Sequence, residues 1–148
     1  MRGRSRRLPQ IHFHIFLTAA LGLFALTSAS YGADTLRVEL NKLEPMDTAC
    51  RAYLLFENRT ATDFQSLKLD LMMFDPEGII SRRLVVDGAP LPAGKTSVKL
   101  FDIDGVNCDA VSRVLLNGVL SCSDAQGERE GCLQLIQTAT RSSAELFK

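Results

Sequence analysis

The chain has 148 residues, among them 17 basic and 17 acidic side chains, two histidines and four cysteines. The charges are unevenly distributed, because residues 1–33 carry four arginines and no acid, whereas residues 34–148 carry 13 basic and 17 acidic residues and a net charge of −4. A mildly acidic segment without a basic stripe is unsuited to nucleic acid and to an anionic membrane surface, so we expect neither as a partner.

The N-terminus has the order of a secretory signal peptide. Residues 1–14 are basic, residues 15–29 (IFLTAALGLFALTSA) are apolar or small, and mostly small residues follow up to position 33. The apolar run is shorter than the roughly 20 residues of a spanning helix, which favours cleavage over an uncleaved membrane anchor, with the cleavage site left open. Arg6 and Arg7 permit a twin-arginine signal, but Pro9 favours the general secretory route. We predict a cleaved signal peptide at 1–33 and one periplasmic domain at 34–148, without stable membrane insertion.

Cleavage would remove both histidines, His12 and His14. Without an imidazole, the remaining domain cannot build a Ser-His-Asp or Cys-His catalytic arrangement, nor a histidine-ligated zinc or copper site. Its 17 acidic residues show no spacing that singles out a catalytic pair. We therefore predict a protein that is not an enzyme and binds no cofactor. The alternative is a hydrolase that depends on carboxylates or on a bound metal.

From residue 36 onward, apolar residues recur with a period of two, as in half-buried strands. A turn is predicted at 75–78 (DPEG) and a break at 88–94, while the polar tail at 139–148 is predicted to be loose until Leu146 and Phe147. Seven short strands predict an antiparallel, immunoglobulin-like β-sandwich. The predicted strands are 36–40, 50–58, 67–73, 79–86, 96–101, 111–122 and 132–138.

All four cysteines lie in the predicted domain, and an even number in an exported domain of this size predicts two disulfide bonds. The sequence leaves three pairings open. Cys122 and Cys132 flank a polar segment, 123–131 (SDAQGEREG), which resembles a hairpin loop, and a bridge there would leave Cys50 to pair with Cys108. A zinc site of four thiolates is the alternative, but the C-x₂-C spacing is missing and export favours oxidation.

Three short segments carry a resemblance to a known family: YxxFxNxT at 53–60, FDxxG at 74–78 and LPAGK at 91–95. They resemble the FxLYD-type immunoglobulin-like domains of bacterial envelope proteins, and most of all small uncharacterised exported proteins of alphaproteobacteria. The resemblance covers residues 50–122 and consists of turn and core residues. It implies an extracytoplasmic β-sandwich used for interaction or assembly, and it supplies no catalytic residue.

The segment 102–109 (DIDGVNCD) has the oxygen-rich composition of a calcium loop. An EF-hand needs glycine at its sixth position and a bidentate glutamate at its twelfth, whereas here the glycine is fourth and Arg113 is twelfth. We therefore predict a turn followed by a helix cap, with calcium as the weaker alternative. The candidate ligands are Asp102, Asp104, Asn107 and Asp109.

One strand indicates a binding surface. The solvent side of the strand at 67–73 begins with charged residues but continues with Met72 and then Phe74. Unless the tail or a loop covers these side chains, they form an apolar patch, either with Tyr53 or with Arg82 and Arg83 of the next strand, and such patches mark partner sites.

The sequence thus predicts a non-enzymatic periplasmic module for interaction or envelope assembly, stabilised by two disulfides. Its expected partner is another envelope protein, and its oligomeric state is left open. A small exported inhibitor of another protein is a further alternative to the hydrolase.

Overall fold

Nine β-strands pair into two sheets in the computed structural model, which describes residues 34–148. The predicted signal peptide lies outside the described residues. Sheet 1 has the strand order β5-β2-β1-β8, and in sheet 2 the order is β4-β3-β6-β7, with β9 also pairing with β6. The strands of sheet 1 are β1 (Leu36–Pro45), β2 (Ala49–Asn58), β5 (Thr96–Asp104) and β8 (Ile136–Thr140). Those of sheet 2 are β3 (Ser66–Phe74), β4 (Ile80–Asp87), β6 (Arg113–Asp124), β7 (Gly127–Glu128) and β9 (Glu145–Phe147).

Alternate residues of the central strands build the core between the sheets. Side chains of β2 are buried at every second position, and in β3 the side chains of Leu67, Leu69, Leu71 and Met73 face inward as their spacing predicts. Phe56 of β2 and Phe64 of the loop before β3 are the largest fully buried side chains. The β-sandwich prediction is confirmed.

The turn predicted at 75–78 joins β3 to β4. The Gly78 amide donates to the Asp75 carbonyl at 3.0 Å, and the Asp75 amide donates to the Ile79 carbonyl at 2.9 Å. Gly78 has a φ of +82°, a conformation that side chains rarely adopt, so glycine is required there.

The last part of the chain differs from the simple antiparallel prediction. Strand β8 pairs with β1 in parallel, and β9 pairs in parallel with β6, so both sheets are mixed. The start of the predicted strand 132–138 is wrong, because Cys132–Leu135 forms a single helical turn, α1, after Gly131 at a φ of +74°. The tail docks through β9, in which Leu146 is buried. Within residues 34–148, no helix combines the length and the apolar character needed to cross a membrane.

Candidate interaction surface

Two disulfide bonds join Cys50 to Cys108 and Cys122 to Cys132. This is the pairing that the sequence favours, but its expected setting is partly wrong. Cys132 does not lie on a strand, because it belongs to α1, which follows the short β6–β7 hairpin of sheet 2 and leads to β8 of sheet 1. The second disulfide therefore joins β6 to the segment that leaves this hairpin and crosses to the other sheet. Cys108 lies in a short 3₁₀ helix, Cys108–Ala110, beside the start of β2.

The calcium candidates at the end of β5 serve the fold in other ways. The carboxylate of Asp102 receives two hydrogen bonds from Arg51, at 2.6 and 2.8 Å, and these bonds lower the pKa of Asp102. The side-chain oxygen of Asn107 accepts the Asp109 amide at 3.1 Å and caps the 3₁₀ helix. Asp104 is exposed at the end of β5. Residues 34–148 bring together no group of three or more His, Cys, Asp or Glu side chains that could hold a metal ion.

The structure divides the patch predicted around Phe74. Met72, Phe74 and Arg83 lie on the outer face of sheet 2, where Met72 is directly opposite Arg83 in the β3–β4 register. Arg82 is next to Arg83 along β4 and therefore points to the other side of the strand. Tyr53 lies on β2 of sheet 1, so it does not join the other four residues.

The ring of Phe74 is partly covered by the C-terminal segment. Its centroid is 6.2 Å from that of Phe147 in β9, and the Arg113 guanidinium carbon is 5.4 Å from one ring centroid and 5.5 Å from the other. Phe74 is consequently half-buried, and Met72 on the same face is half-buried as well. This part of sheet 2 is packed within the chain, which reduces the apolar area it offers to a partner.

Asp70 anchors β4 to the same face. Its buried carboxylate accepts Arg83 Nε at 2.6 Å and Asn117 Nδ2 at 2.7 Å. The hydrogen bond from Arg83, followed by that from Asn117, lowers the pKa of Asp70. Every buried side-chain nitrogen and oxygen in residues 34–148 likewise has a hydrogen-bond partner. The perturbed carboxylate is therefore explained by the ion pair that holds two strands together.

An apolar patch that the sequence did not predict lies on the outer face of sheet 1. It consists of two cross-strand pairs, Tyr53 opposite Leu100 and Leu55 opposite Val98. We call these four residues the sheet-1 patch. Tyr53 and Leu55 are half-buried, whereas Val98 and Leu100 are 52% and 50% exposed. Four neighbouring apolar side chains on one exposed face are a feature of interaction sites.

The orientation of β5 explains why sequence reasoning missed this patch. Val98 and Leu100 alternate with Ser97 and Lys99, so a simple period-two pattern places Val98 and Leu100 in the core. The structure has the opposite arrangement: the buried residue of β5 is Ile103, which fixes the odd-numbered side chains as inward-facing. Lys99 extends from the inner side to donate to the Ala89 carbonyl at 3.0 Å.

Ion pairs flank the sheet-1 patch. On one side, Lys42 Nζ donates to Glu44 at 2.7 Å and lies 5.2 Å from the centre of the Tyr53 ring. The Tyr53 hydroxyl also donates to Glu44, which raises the pKa of Tyr53. On the other side is the pair of Arg51 with Asp102. An apolar centre within a charged rim is the usual arrangement of a protein–protein interface.

The space between the sheets offers no comparable site. An apolar cavity there measures about 20 Å³ and is lined by core side chains such as Leu54, Leu71 and Val114. That volume is enough for about one water molecule and far below the roughly 300 Å³ of a small ligand site. This cavity therefore belongs to the packing of the core.

Together these features define a β-sandwich with two disulfides and an exposed apolar face. Disulfides of this kind are typical of an oxidising, extracytoplasmic environment. No protein-family model matches the chain, and no curated protein matches it. Among solved structures, IrmA from Escherichia coli is similar in fold, with a TM-score of 0.53 and 11% sequence identity over 70% of this chain and 90% of IrmA. At this identity the similarity shows the β-sandwich fold alone.

Proposed function

We propose that the chain is a non-enzymatic periplasmic module that binds another envelope protein through the sheet-1 patch. The orientation of β5 carries this proposal, because Val98 and Leu100 face solvent while a serine and a lysine occupy the inner side of the same strand. Exposed apolar side chains in such a position cost solubility and contribute nothing to the core. A partner protein that covers these side chains would bury their apolar area on binding, which explains why they face outward.

The titratable groups favour a binding role over catalysis. Residues 34–148 contain no histidine. The buried carboxylates of Glu39, Asp70 and Asp124 are each paired with an arginine. Hydrogen bonds within the fold account for their lowered pKa values, chiefly those from Asn41 to Glu39, from Arg83 to Asp70 and from Arg129 to Asp124. The resemblance to FxLYD-type envelope domains supports the same role. The competing proposals are the carboxylate- or metal-dependent hydrolase and the small exported inhibitor.

A crosslinking pull-down from periplasm tests the interaction. We expect the exported protein to capture one envelope protein, and a variant with Val98→Ser and Leu100→Ser to lose that capture while keeping its melting temperature. Leu120→Ser is the matched control, because Leu120 is 53% exposed on sheet 2. A further variant with Met72→Ser and Phe74→Ser tests the patch predicted around Phe74, which we call the sheet-2 patch. Capture that survives loss of the sheet-1 patch but not of the sheet-2 patch would refute the assigned site.

Two additional measurements separate the competing classes. Cell fractionation and N-terminal sequencing of the exported protein should find it in the periplasm, cut within or near residues 30–33. Elemental analysis and a hydrolase substrate panel should show neither stoichiometric metal nor turnover. Robust turnover that survives repurification would replace the binding proposal with the enzymatic one, and capture of a single exported hydrolase with loss of its activity would favour the inhibitor.

A further inference from the structure

In the part of the chain that the structure describes, strand β4 lies at an edge of sheet 2 and is unpaired on one side along its whole length. It pairs with β3, and among residues 34–148 no strand pairs with its other edge. Most of its side chains are exposed, including Val85 at 54%. An open edge presents a row of backbone donors and acceptors that another strand can satisfy, and proteins usually protect such edges with covering loops or inward-pointing charges.

The side chains of β4 are complementary to those of a second copy of the same strand. Arg83, Val85 and Asp87 lie on the outer side, as their register with β3 shows. If two β4 strands pair antiparallel about Val85, each Arg83 lies opposite Asp87 of the other copy, and Val85 lies opposite itself. On the inner side, Leu84 then lies opposite Val86. Opposite charges and apolar pairs facing each other across strands stabilise a sheet.

This register is distinguished from its neighbours. A shift of two positions places Arg83 opposite Ala89 in one direction and opposite Val85 in the other, and a further shift of two in the second direction places the two Arg83 side chains face to face. Strand β5 is not complementary to a second copy of itself in this way. Its outward charges, Asp102 and Asp104, are both acidic, and its lysine faces inward. Arg83 can pair with Asp87 of the second copy and keep its hydrogen bond to Asp70. That bond is made by Nε, and the Arg83 side chain is 57% exposed.

We propose that the protein forms a symmetric dimer in which two β4 strands pair antiparallel about Val85 and join the two copies of sheet 2 into one continuous sheet. The interface is isologous, because the same strand of each copy forms it. A single two-fold axis relates the two copies, and the open edge of each β4 is covered by the other. This proposal does not depend on the proposed partner of the sheet-1 patch, because it uses a different strand and different side chains.

Sedimentation velocity of the exported protein, produced from the full chain, gives the first test. We expect the weight-average mass to rise toward twice the monomer mass over a series of protein concentrations. The variants Asp87→Arg and Val85→Lys place like charges opposite each other, and each should weaken the dimer by at least about tenfold. Leu120→Lys, at matched exposure on β6, should not. A protein that stays monomeric throughout, or a dimer that neither β4 variant weakens, would overturn the proposal.

A cysteine scan tests the register itself. Directly opposite residues in an antiparallel pair have β-carbons about 4.5–5.5 Å apart, close enough for a disulfide after a small adjustment. Val85→Cys should therefore form a covalent dimer under mild oxidation, whereas Leu120→Cys should remain monomeric on a non-reducing gel. Equal crosslinking of both variants would show random collision and would contradict the proposed pairing.

Discussion

Gly88 lies directly against the ring of Phe56. A β-carbon at position 88 would be 2.6 Å from Phe56 Cε1 and 2.9 Å from Cδ1, well inside van der Waals contact. Phe56 is fully buried, and the Gly88 amide donates to the Leu67 carbonyl at 2.9 Å, so neither residue can withdraw freely. The absence of a side chain at 88 thus allows the segment after β4 to close over one end of the core.

Gly88→Ala should lower the free energy of unfolding by about 1–3 kcal/mol, because the added methyl group overpacks a filled core. Urea unfolding under oxidising conditions measures the change. The matched control is Gly118→Ala in β6, where the new β-carbon would meet no atom within 4 Å. We expect the control to keep or slightly increase stability, since alanine reduces the freedom of the unfolded chain. Equal losses at the two positions would refute the role given to Phe56.

The side chain of Asn58 fixes the segment that follows β2. The two N–H groups of its amide nitrogen are shared among three carbonyl oxygens, those of Thr62, Leu91 and Pro92 at 2.7, 3.1 and 3.0 Å, and its oxygen accepts from Thr60. Asn58→Asp keeps the shape but turns the donor into an oxygen that faces three carbonyl oxygens. We expect a loss of more than about 2 kcal/mol at neutral pH, measured by urea unfolding.

The same exchange at Asn107 is the control for Asn58→Asp. Among the described residues, Asn107 uses only its side-chain oxygen, as a cap for the Asp109 amide. Aspartate caps as well as asparagine, so Asn107→Asp should change stability by less than about 0.5 kcal/mol. An equally small loss of stability for Asn58→Asp would show that the hydrogen bonds donated by Asn58 do not fix the segment after β2 in solution.

The two faces of β3 could be predicted from the sequence, whereas those of β5 could not. In β3, leucines at 67, 69 and 71 alternate with Lys68 and Asp70, and the polar residues identify the outer side. In β5, the even positions carry Val98 and Leu100 but the odd positions carry Phe101 and Ile103. Both faces are apolar, so the pattern is ambiguous, and only packing against β2 decides between them. The predicted surface was consequently placed around Phe74 and missed the sheet-1 patch.

The observed cysteine pairing is the one that the sequence favours among the three it leaves open, but part of the reasoning behind it is wrong. Polar residues between Cys122 and Cys132 indicate a loop, and a short loop keeps its ends close together. The sequence does not show that the chain leaves sheet 2 at this point, because strand exchange between sheets depends on contacts far apart in sequence, here between β8 and β1. The parallel pairing of β9 with β6 was missed for the same reason.

The two disulfides should contribute unequally to stability. The Cys50–Cys108 bridge closes a loop of 58 residues and the Cys122–Cys132 bridge one of 10. In the chain-entropy description, the longer loop gives about 4 kcal/mol and the shorter about 3 kcal/mol. Replacing both cysteines of each pair by alanine and measuring urea unfolding checks this order. A larger loss for the Cys122–Cys132 pair would show that its position where the chain crosses from sheet 2 to sheet 1 matters more than the freedom of the unfolded chain.

Glu39 should make the stability depend on pH. This carboxylate is buried on β1, and its pKa is held below its ordinary value of 4.5 by the hydrogen bond from Asn41 and then by the charges of Arg37 and Arg141. Because the folded-state pKa is the lower one, the stabilisation is fully present above pH 4.5 and is lost as the pH falls through the lowered pKa. Glu39→Gln should therefore unfold at a lower urea concentration than wild type at pH 7, and the two midpoints should converge in acid.

Glu130→Gln, at an exposed position, is the control and should match wild type at every pH. A gap between wild type and Glu39→Gln that stays constant down to pH 3 would mean that the charge of Glu39 contributes nothing and that only the shape of its side chain matters.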